Sequence, residues 1–324
     1  MGTAQQIEFA GSVQALREHL GREMSKVIIG QPDLRDQCLM TLLCGGHALL
    51  EGVPGIAKTL AIKTLARLLQ MEFRRVQCTS DLMPADILGG NIYNAALAAF
   101  ELHRGPIFTD LMLVDEINRM PPRTQAALLE GMEERQVTID GVRHVLAPTF
   151  TVFATQNPVE FEGTYPLPEA QLDRFLLKIR VSYPDKEDEV RLLAAVQDGF
   201  DWRKLEAIEL EPIAPGMLVR AQRELSALKV EPQLFRYISA VAQRTRDWPA
   251  VSLGASPRAA ISLMLVAKAA AAMECRDYVI PDDVKTVAAP VLRHRILLKP
   301  EADLEGVSSD QVIADVLRAV EVPK

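Results

Sequence analysis

A glycine-rich segment that ends in lysine and threonine is the first feature of this sequence that could carry chemistry. The stretch LLEGVPGIAKTL, residues 49–60, has the spacing G-x-x-x-x-G-K-[ST], except that Ala57 stands in place of the last glycine. In such a loop the backbone N–H groups and the start of the following helix cradle phosphates, the lysine reaches the β- and γ-phosphates, and the threonine hydroxyl binds Mg²⁺. We therefore expect a nucleotide site with Lys58 on the phosphates and Thr59 on the metal. The residues assigned to this loop are Gly52, Val53, Pro54, Gly55, Ile56, Ala57, Lys58, Thr59 and Leu60.

The alanine at position 57 affects the stability of the loop more than its chemistry. If the backbone there is left-handed, the methyl group costs about 1–2 kcal/mol, but no ligand to the phosphates is lost. Gly55 leaves room for a phosphate to approach the backbone closely. For the loop taken alone, a chance Gly/Pro turn before a helix is the alternative interpretation.

A pair of carboxylates at the end of an apolar run is the second chemical feature. In LMLVDEINR, residues 111–119, Asp115 and Glu116 follow four apolar residues. A carboxylate at a strand tip beside the phosphate loop can complete the Mg²⁺ shell, and we assign this role to Asp115. Glu116 can orient and deprotonate an attacking water. An acidic pair that merely ends a strand is the alternative, but two linked motifs make chance a poor explanation.

A polar strand end and two arginines complete the set of candidate residues. The run FTVFATQNP places Asn157 at the tip of a strand, where its amide could bond the γ-phosphate or the water. Taken alone, Asn157-Pro158 indicates only a turn. Arg174 ends a short helical segment, PEAQLDRF, and could reach a neighbour's γ-phosphate from a subunit edge. The alternative for Arg174 is an ion pair with Asp173 or Glu169.

The second arginine lies at the start of a helix in the second half of the chain. In GASPRAAISLM, Ser256 suits the N-cap and Pro257 the first helical position, which leaves Arg258 in the first turn. From a lid, Arg258 could close on the nucleotide and couple its state to domain rotation.

The elements that must position these residues alternate between strands and helices up to about residue 182. Between the strand-like runs lie helical patterns such as residues 59–70, and strands buried on both faces predict a parallel sheet in an α/β layer fold. From Asp185 onward the pattern is mainly helical, so we expect an α/β core over residues 1–184 and a helical domain over residues 185–324. The strand-like runs are HALLE, FRRVQ, LMLVD, FTVFAT and FLLKIRV.

Two hairpin-like insertions interrupt the α/β pattern. Residues 136–146, QVTIDGVRHVL, alternate around Asp140-Gly141, a pair that suits a tight type I′ turn. Residues 89–108 show a weaker pattern with glycine near both ends.

Composition narrows the class of protein. The chain has 324 residues with 48% hydrophobic content, and its formal charge is −7, which disfavours a nucleic-acid protein. No C-x-x-C spacing joins the cysteines and no histidines pair at ligand spacing, so we expect reduced, buried thiols in a cytoplasmic protein without a structural metal. The most apolar run, residues 259–273, is too short to span a bilayer and predicts a buried helix. The cysteines are Cys38, Cys44, Cys78 and Cys275.

Together, these motifs resemble those of AAA+ ATPases, and specifically of the MoxR family. The resemblance rests on EGVPGIAKT, LMLVDEINR, ATQNPVEFEGTYPLPEAQLDRF and ASPRA, and it covers nearly the whole chain. Loops of that family read G-x-P-G-x-A-K-T, so Ala57 matches the family's own pattern. The resemblance implies an AAA+ P-loop fold, that is, a three-layer α/β core with a parallel sheet followed by an all-helical lid domain.

The resemblance also assigns roles by position. Ile29 and Gly30, within VIIGQ, match the segment that packs against adenine. Residues near 88–107 and 135–147 match the helix-2 insert and the pre-sensor-1 insert. The other assignments are Walker A for Lys58 and Thr59, Walker B for Asp115 and Glu116, sensor 1 for Asn157, the arginine finger for Arg174 and sensor 2 for Arg258.

In functional terms, the resemblance implies a ring, expected to be a hexamer, that hydrolyses ATP with Mg²⁺ between its subunits. Such proteins act as chaperone-like remodellers in the maturation of client complexes, often with a partner that carries a von Willebrand factor A domain. Two alternatives stay open: a nucleotide-gated scaffold with little turnover, and a DNA-directed motor. The motor would need basic insert hairpins, and those hairpins offer His103, Arg104, Arg135, Arg143 and His144.

Overall fold

The structure is a computed structural model that describes residues 3–157 and 163–323. Its first part contains a sheet, two hairpins and six helices. In chain order these are α1 (Thr3–Ser25), α2 (Pro32–Leu43), β1 (Ala48–Glu51), α3 (Lys58–Leu68), β2 (Phe73–Gln77), α4 (Pro84–Leu88), β3 (Gly89–Asn94), β4 (Ala99–Arg104), β5 (Leu111–Asp115), α5 (Pro122–Glu134), β6 (Gln136–Ile139), β7 (Val142–Val145), β8 (Thr151–Gln156), α6 (Glu169–Leu172) and β9 (Leu177–Arg180).

The second part is mainly helical, as predicted. It contains α7 (Lys186–Gln197), α8 (Met217–Ala227), α9 (Pro232–Arg246), β10 (Val251–Leu253), α10 (Pro257–Met273), α11 (Pro281–Leu292), β11 (Leu297–Leu298), α12 (Pro300–Leu304) and α13 (Ser309–Ala319). Short 3₁₀ turns cover Ile117–Arg119 and Trp202–Ala207.

The central sheet has five parallel strands in the order β2-β5-β8-β1-β9. All five lie where the apolar runs predicted strands. Because β8 lies between β1 and β5, the strand that ends before Asn157 separates the phosphate loop from the carboxylate pair. The carboxyl ends of all three strands meet at one edge of the sheet, which is where ligands bind in open α/β folds.

Helices cover both faces of the sheet, which confirms the three-layer core. Side chains alternate between the faces, since successive residues of a strand point in opposite directions. On β1, Leu50 joins the hydrophobic cluster that contains α1, α2 and α3, whereas Leu49 joins the cluster that contains α5. On β5, Leu113 and Met112 divide in the same way.

The two insertions are antiparallel hairpins, β3–β4 and β6–β7. At the tip of the second, Asp140 has φ 49° and Gly141 has φ 81°, so the predicted type I′ turn is confirmed. The two hairpins contact each other, because the side-chain amide of Asn91 donates a 2.8 Å hydrogen bond to Asp140.

The two parts of the chain share a continuous hydrophobic cluster. Helix α1 packs against α8 and α10 of the second part as well as against α3. The predicted buried helix is α10, which packs against α11, α9, α1 and α2. The division at residues 184 and 185 stays a prediction, since the packing crosses it.

One expectation from composition is wrong. Cys275 is exposed, because it follows the end of α10 in a left-handed surface turn with φ 58°. Cys38 and Cys78 are buried, and Cys44 is half-buried. Among the helices within residues 3–157 and 163–323, none is long and apolar enough to cross a membrane.

Candidate active site

The phosphate loop has the backbone geometry that its sequence predicts. Strand β1 ends at Glu51 and α3 begins at Lys58, so the loop leads from a strand directly into a helix N-terminus. Gly55 has φ 86°, and Ala57 is left-handed with φ 62° and ψ 19°. The expected strain at Ala57 is therefore present in the fold.

A pocket of about 650 Å³ opens beside this loop, within the size range of ligand sites in proteins. The segment around Ile29, the phosphate loop and the ends of β5 and β8 all contribute to it. The predicted site residues that line the pocket are Ile29, Pro54, Gly55, Ile56, Ala57, Lys58, Thr59, Leu60, Asp115, Glu116 and Asn157.

Three of the predicted binding residues do not line the pocket. Gly52 lies against the residue that follows strand β9, because a Cβ atom on it would come within 2.5 Å of the Val181 carbonyl oxygen. Gly30 has φ 72° and lies against Asp188 at the start of α7. The third, Val53, is half-buried beside the core. Gly52 and Gly30 thus permit close packing around the site.

Lys58 is turned back onto its own loop. Its ammonium group donates a hydrogen bond to the Gly52 carbonyl oxygen. Burial lowers the pKa of Lys58, while the carboxylates of Asp115, Glu116 and Glu51 act to raise it. A polyanionic ligand would add to the carboxylates' effect and favour the charged form of the lysine.

Asp115 is the centre of a polar cluster at the end of β5. One carboxylate oxygen lies 3.5 Å from the Thr59 hydroxyl and accepts a 2.6 Å hydrogen bond from Arg75 on β2. The other accepts a 3.2 Å bond from the Thr155 hydroxyl. Hydroxyl and carboxylate oxygens are the donors that Mg²⁺ takes from proteins, so Thr59 and Asp115 fit that ion.

Glu116 leaves the strand in a strained conformation. Its backbone is left-handed with φ 58° and ψ 53°, and its N–H donates a 2.9 Å hydrogen bond to the Thr155 hydroxyl oxygen. Arg119 lies 3.4 Å from one carboxylate oxygen, which makes no hydrogen bond within the described part of the chain. Such strain is characteristic of functional positions, and here it turns the carboxylate off the strand axis into the pocket.

Several lining residues were not predicted. Arg75 and Gln77 lie two residues apart on β2, which pairs with β5, so both face the pocket. Polar side chains at alternate positions of a strand next to the carboxylate pair would have been the signal. The aromatic residues Tyr183, Phe200 and Trp202 also line the pocket and offer flat surfaces for a base; Tyr183 lies between β9 and α7, and the other two follow α7. Their sequence neighbourhood carries no motif that would have revealed them.

Comparison with known proteins agrees with this geometry. Residues 47–177 match the family model "ATPase family associated with various cellular activities (AAA)", and residues 243–316 match "AAA lid domain". The uncharacterized protein YeaC of Bacillus subtilis is 45% identical over 94% of this chain and 93% of its own length. Chaperone MoxR1 of Mycobacterium tuberculosis is 42% identical over 93% of this chain and 81% of its own length. The chain belongs to the MoxR family of AAA+ ATPases.

A solved structure extends the similarity to three dimensions. A crystal structure from Cytophaga hutchinsonii, of a protein described as a candidate ATPase, superposes on this MoxR-family chain with a TM-score of 0.88. The two sequences are 41% identical, and the match covers 98% of each chain.

The two arginines lie together, away from the pocket of their own chain. In this MoxR-family fold, Arg174 lies 3.2 Å from one carboxylate oxygen of Glu133 on α5. Arg258 lies 3.0 Å from the other oxygen. Neither arginine lines the nucleotide pocket. We call the surface formed by Arg174, Arg258 and Glu133 the arginine edge.

The alternative ion pair suggested for Arg174 is wrong in its partner. Asp173 points instead to Arg295, and the carboxylate that Arg174 contacts is Glu133, 41 positions away in the sequence. The helix start at Arg258 is as predicted, because the Ser256 hydroxyl oxygen accepts a hydrogen bond from the Ala259 N–H at 3.2 Å.

Proposed function

We propose that this chain hydrolyses ATP at sites shared between neighbouring subunits of a ring, with six subunits as the expected number. The observation that most directly supports hydrolysis is the convergence of Lys58, Thr59, Asp115 and Glu116 at one edge of the sheet. All four line the same pocket beside the phosphate loop. A binding module would need the loop but not a carboxylate placed to activate water.

Each residue of the pocket has a distinct part in this proposal. Lys58 and the N-terminus of α3 hold the phosphates, and Thr59 with Asp115 hold Mg²⁺. Mg²⁺, when bound, supplies positive charge to the phosphate oxygens. Glu116 accepts a proton from the attacking water, while Asn157 orients that water or the γ-phosphate.

The arginine edge is the reason for proposing shared sites. Transition states of phosphoryl transfer gain from positive charge near the γ-phosphate, and an arginine from a neighbouring molecule often supplies it. Arg174 and Arg258 are held by Glu133 outside their own pocket. We therefore assign both arginines to the nucleotide of the next subunit.

The work that we propose for the ring is the remodelling of a protein client. We infer chaperone-like remodelling of a protein client in the cytoplasm from the family and from the name of MoxR1. A partner with a von Willebrand factor A domain follows from the resemblance alone. The DNA-motor alternative is disfavoured because two of the five basic side chains in the hairpin regions already bind groups of the same chain. Arg135 donates to the Gly45 and Pro148 carbonyl oxygens, and Arg104 lies over the Phe108 ring at 5.2 Å.

The test is subunit complementation, measured as phosphate release with Mg-ATP. Glu116→Gln removes the proposed base from the pocket and leaves the arginine edge intact. Arg174→Ala removes an arginine from the arginine edge and leaves the pocket intact. We expect each variant to bind a fluorescent ATP analogue but to lose about 10³-fold in turnover. Co-assembled at equal amounts, they should recover roughly a quarter of the wild-type rate, the share of random interfaces that pair two intact halves.

The other outcomes decide between the alternatives. A mixture no more active than its parts would mean that each pocket is complete within one chain, and the shared-site proposal would fail. If the wild type forms rings in ATP without releasing phosphate, the scaffold interpretation holds. Light scattering on the same samples reports the mass of the assembly.

A further inference from the structure

Arg295 is the most completely bonded arginine of the second part of the chain. It follows α11, and its side chain is only 2% exposed. All five of its N–H donors have acceptors, which is the full capacity of a guanidinium group. The acceptors are Asp173 Oδ1 at 2.7 Å, Phe175 O at 2.8 Å, Val291 O at 2.9 Å, Asp173 O at 3.3 Å and Leu176 O at 3.3 Å.

Four of these acceptors belong to residues on either side of Arg174. Asp173 precedes it, and Phe175 and Leu176 follow it, so the guanidinium of Arg295 holds the backbone from which Arg174 projects. The position of Arg174 therefore depends on the side chain of Arg295, which contacts Asp173 across 122 positions of sequence.

Asp173 also connects Arg295 to α10, the helix that carries Arg258. Its Oδ2 accepts a 3.2 Å hydrogen bond from the hydroxyl of Ser256, the N-cap residue of α10. Arg258 lies in the first turn of that helix. One carboxylate thus joins Arg295, the α10 N-terminus and the backbone of Arg174, while Glu133 pairs with both arginine side chains from the other side.

We propose that Arg295 is a positioning residue that holds Arg174 and Arg258 as one unit facing the neighbouring subunit's nucleotide. This inference rests on the proposed shared site. Arg295 itself touches no nucleotide, since it is buried and absent from the pocket lining. Its role is to make residues 173–176, which precede β9, move together with the start of α10. Both arginines then reach the same phosphate at the same time.

Arg295 is a buried charged group, so its hydrogen-bond acceptors must match its guanidinium closely. Burial lowers the pKa of Arg295 to about 10, and Asp173 opposes this effect. The guanidinium is therefore still charged at neutral pH, and only a planar group with five donors satisfies all of its acceptors. A lysine at this position would keep the charge but could supply at most three hydrogen bonds.

The test compares Arg295→Lys with the matched control Arg293→Lys. Arg293 is nearly as buried, at 10% exposure, but it bonds Asp310 and the Lys178 carbonyl oxygen instead of residues 173–176. We expect Arg295→Lys to lower kcat by 10- to 100-fold with an unchanged dissociation constant for a fluorescent ATP analogue. The control should retain kcat within about twofold.

Complementation distinguishes an effect on the arginine edge from general damage. Arg295→Lys should recover activity when co-assembled with Glu116→Gln, because its own pocket is intact. It should not recover with Arg174→Ala, because both variants lack the same half of the site. Recovery with neither, or a parallel loss of nucleotide affinity, would overturn the proposal, and so would full activity of Arg295→Lys alone.

Amide hydrogen exchange without nucleotide tests the positioning role of Arg295 independently of the proposed shared site. Amide hydrogen exchange in residues 173–176 and 256–259 should be faster in Arg295→Lys than in the wild type or in Arg293→Lys. Asp173→Asn, which removes the carboxylate that Arg295 contacts, should show the same pattern if Arg295→Lys folds poorly. Unchanged exchange in both variants would overturn the positioning role, whereas failure of the Glu116→Gln and Arg174→Ala mixture would overturn the shared site itself.

Discussion

At the scale of single residues, the site combines strained backbone with side chains that are held by one another. Ala57 and Glu116 are both left-handed, although neither is glycine. The Thr155 hydroxyl accepts a hydrogen bond from the Glu116 N–H and donates one to the Asp115 carboxylate. This one hydroxyl therefore holds the two acidic residues in a fixed relative position. Arg75 donates a hydrogen bond to one oxygen of Asp115, and a metal ion bound to that oxygen would have to compete with this contact.

The strain at Ala57 has a measurable consequence for stability. We expect Ala57→Gly to raise the free energy of unfolding by about 0.5–1 kcal/mol, because relief of the left-handed strain exceeds the entropy cost of an added glycine. Urea denaturation measures this change. Nucleotide affinity should stay within about twofold, since no ligand is altered.

The control is the same substitution where the backbone is helical. Ala314 is exposed on α13, and Ala314→Gly should lower the free energy of unfolding by about 0.5–1 kcal/mol. If both substitutions destabilise equally, the conformation at Ala57 carries no strain.

At the scale of elements, α7 is the helix whose surroundings fit the ring proposal best. Its apolar side chains are largely outside the core: Val190 is 65% exposed and Leu193 is 70% exposed. The same helix contributes Glu189 and Leu192 to the pocket lining. An apolar helix surface beside a nucleotide pocket suits contact with a neighbouring subunit, where burial of apolar area stabilises association.

Leu193→Glu tests this contact. We expect it to reduce assembly in ATP, measured as mass by light scattering, and to reduce turnover in proportion. The melting temperature of the isolated chain should hardly change, because the side chain is already exposed. Leu304 on α12 is 89% exposed and is not part of the pocket lining, so Leu304→Glu is the control that should assemble normally. Equal assembly of both variants would exclude α7 from the interface.

At the scale of the whole molecule, buried neutral histidines connect layers of the fold. The Nδ1 of His47 accepts a 2.9 Å hydrogen bond from the Val152 N–H, and its Nε2 lies 3.0 Å from the Met132 carbonyl oxygen. The ring therefore joins the sheet to α5 only in its neutral form, since protonation of Nδ1 would break the first bond. His294 is equally buried and lies 2.8 Å from the Phe175 carbonyl oxygen.

These histidines predict a loss of stability in mild acid. Burial lowers the pKa of His47 from 6.5 to about 4, and burial also lowers the pKa of His294. The unfolded chain thus binds more protons than the folded one as pH falls below 6.5. His47 alone should cost about 3 kcal/mol of unfolding free energy between pH 6.5 and pH 4, and the loss should be complete below pH 4.

Urea denaturation at a series of pH values measures this slope. His47→Gln removes one titrating group, so its stability should fall less steeply between pH 6.5 and pH 4, although it starts lower at pH 7. A slope identical to that of the wild type would show that His47 is not held neutral in the folded protein.

The residues proposed to bind phosphate and metal were predicted from the sequence alone. The loop spacing around Lys58, the strand that ends at Asp115 and the strand that ends at Asn157 are local patterns, in which neighbours along the chain are also neighbours in space. Parallel strands then bring their ends to one edge, so three separate motifs meet without further information. The type I′ turn at Asp140 and the cap at Ser256 are local for the same reason.

Only the tertiary structure decided which groups the arginines contact and which aromatic side chains line the pocket. Arg258 meets Glu133 across 125 positions of sequence, and Arg295 meets Asp173 across 122. Charged side chains can form ion pairs with many partners, and their spacing along the chain does not select one. The packing of the helical part against the sheet brings these groups together and turns Trp202 into the pocket, and no local period encodes that packing.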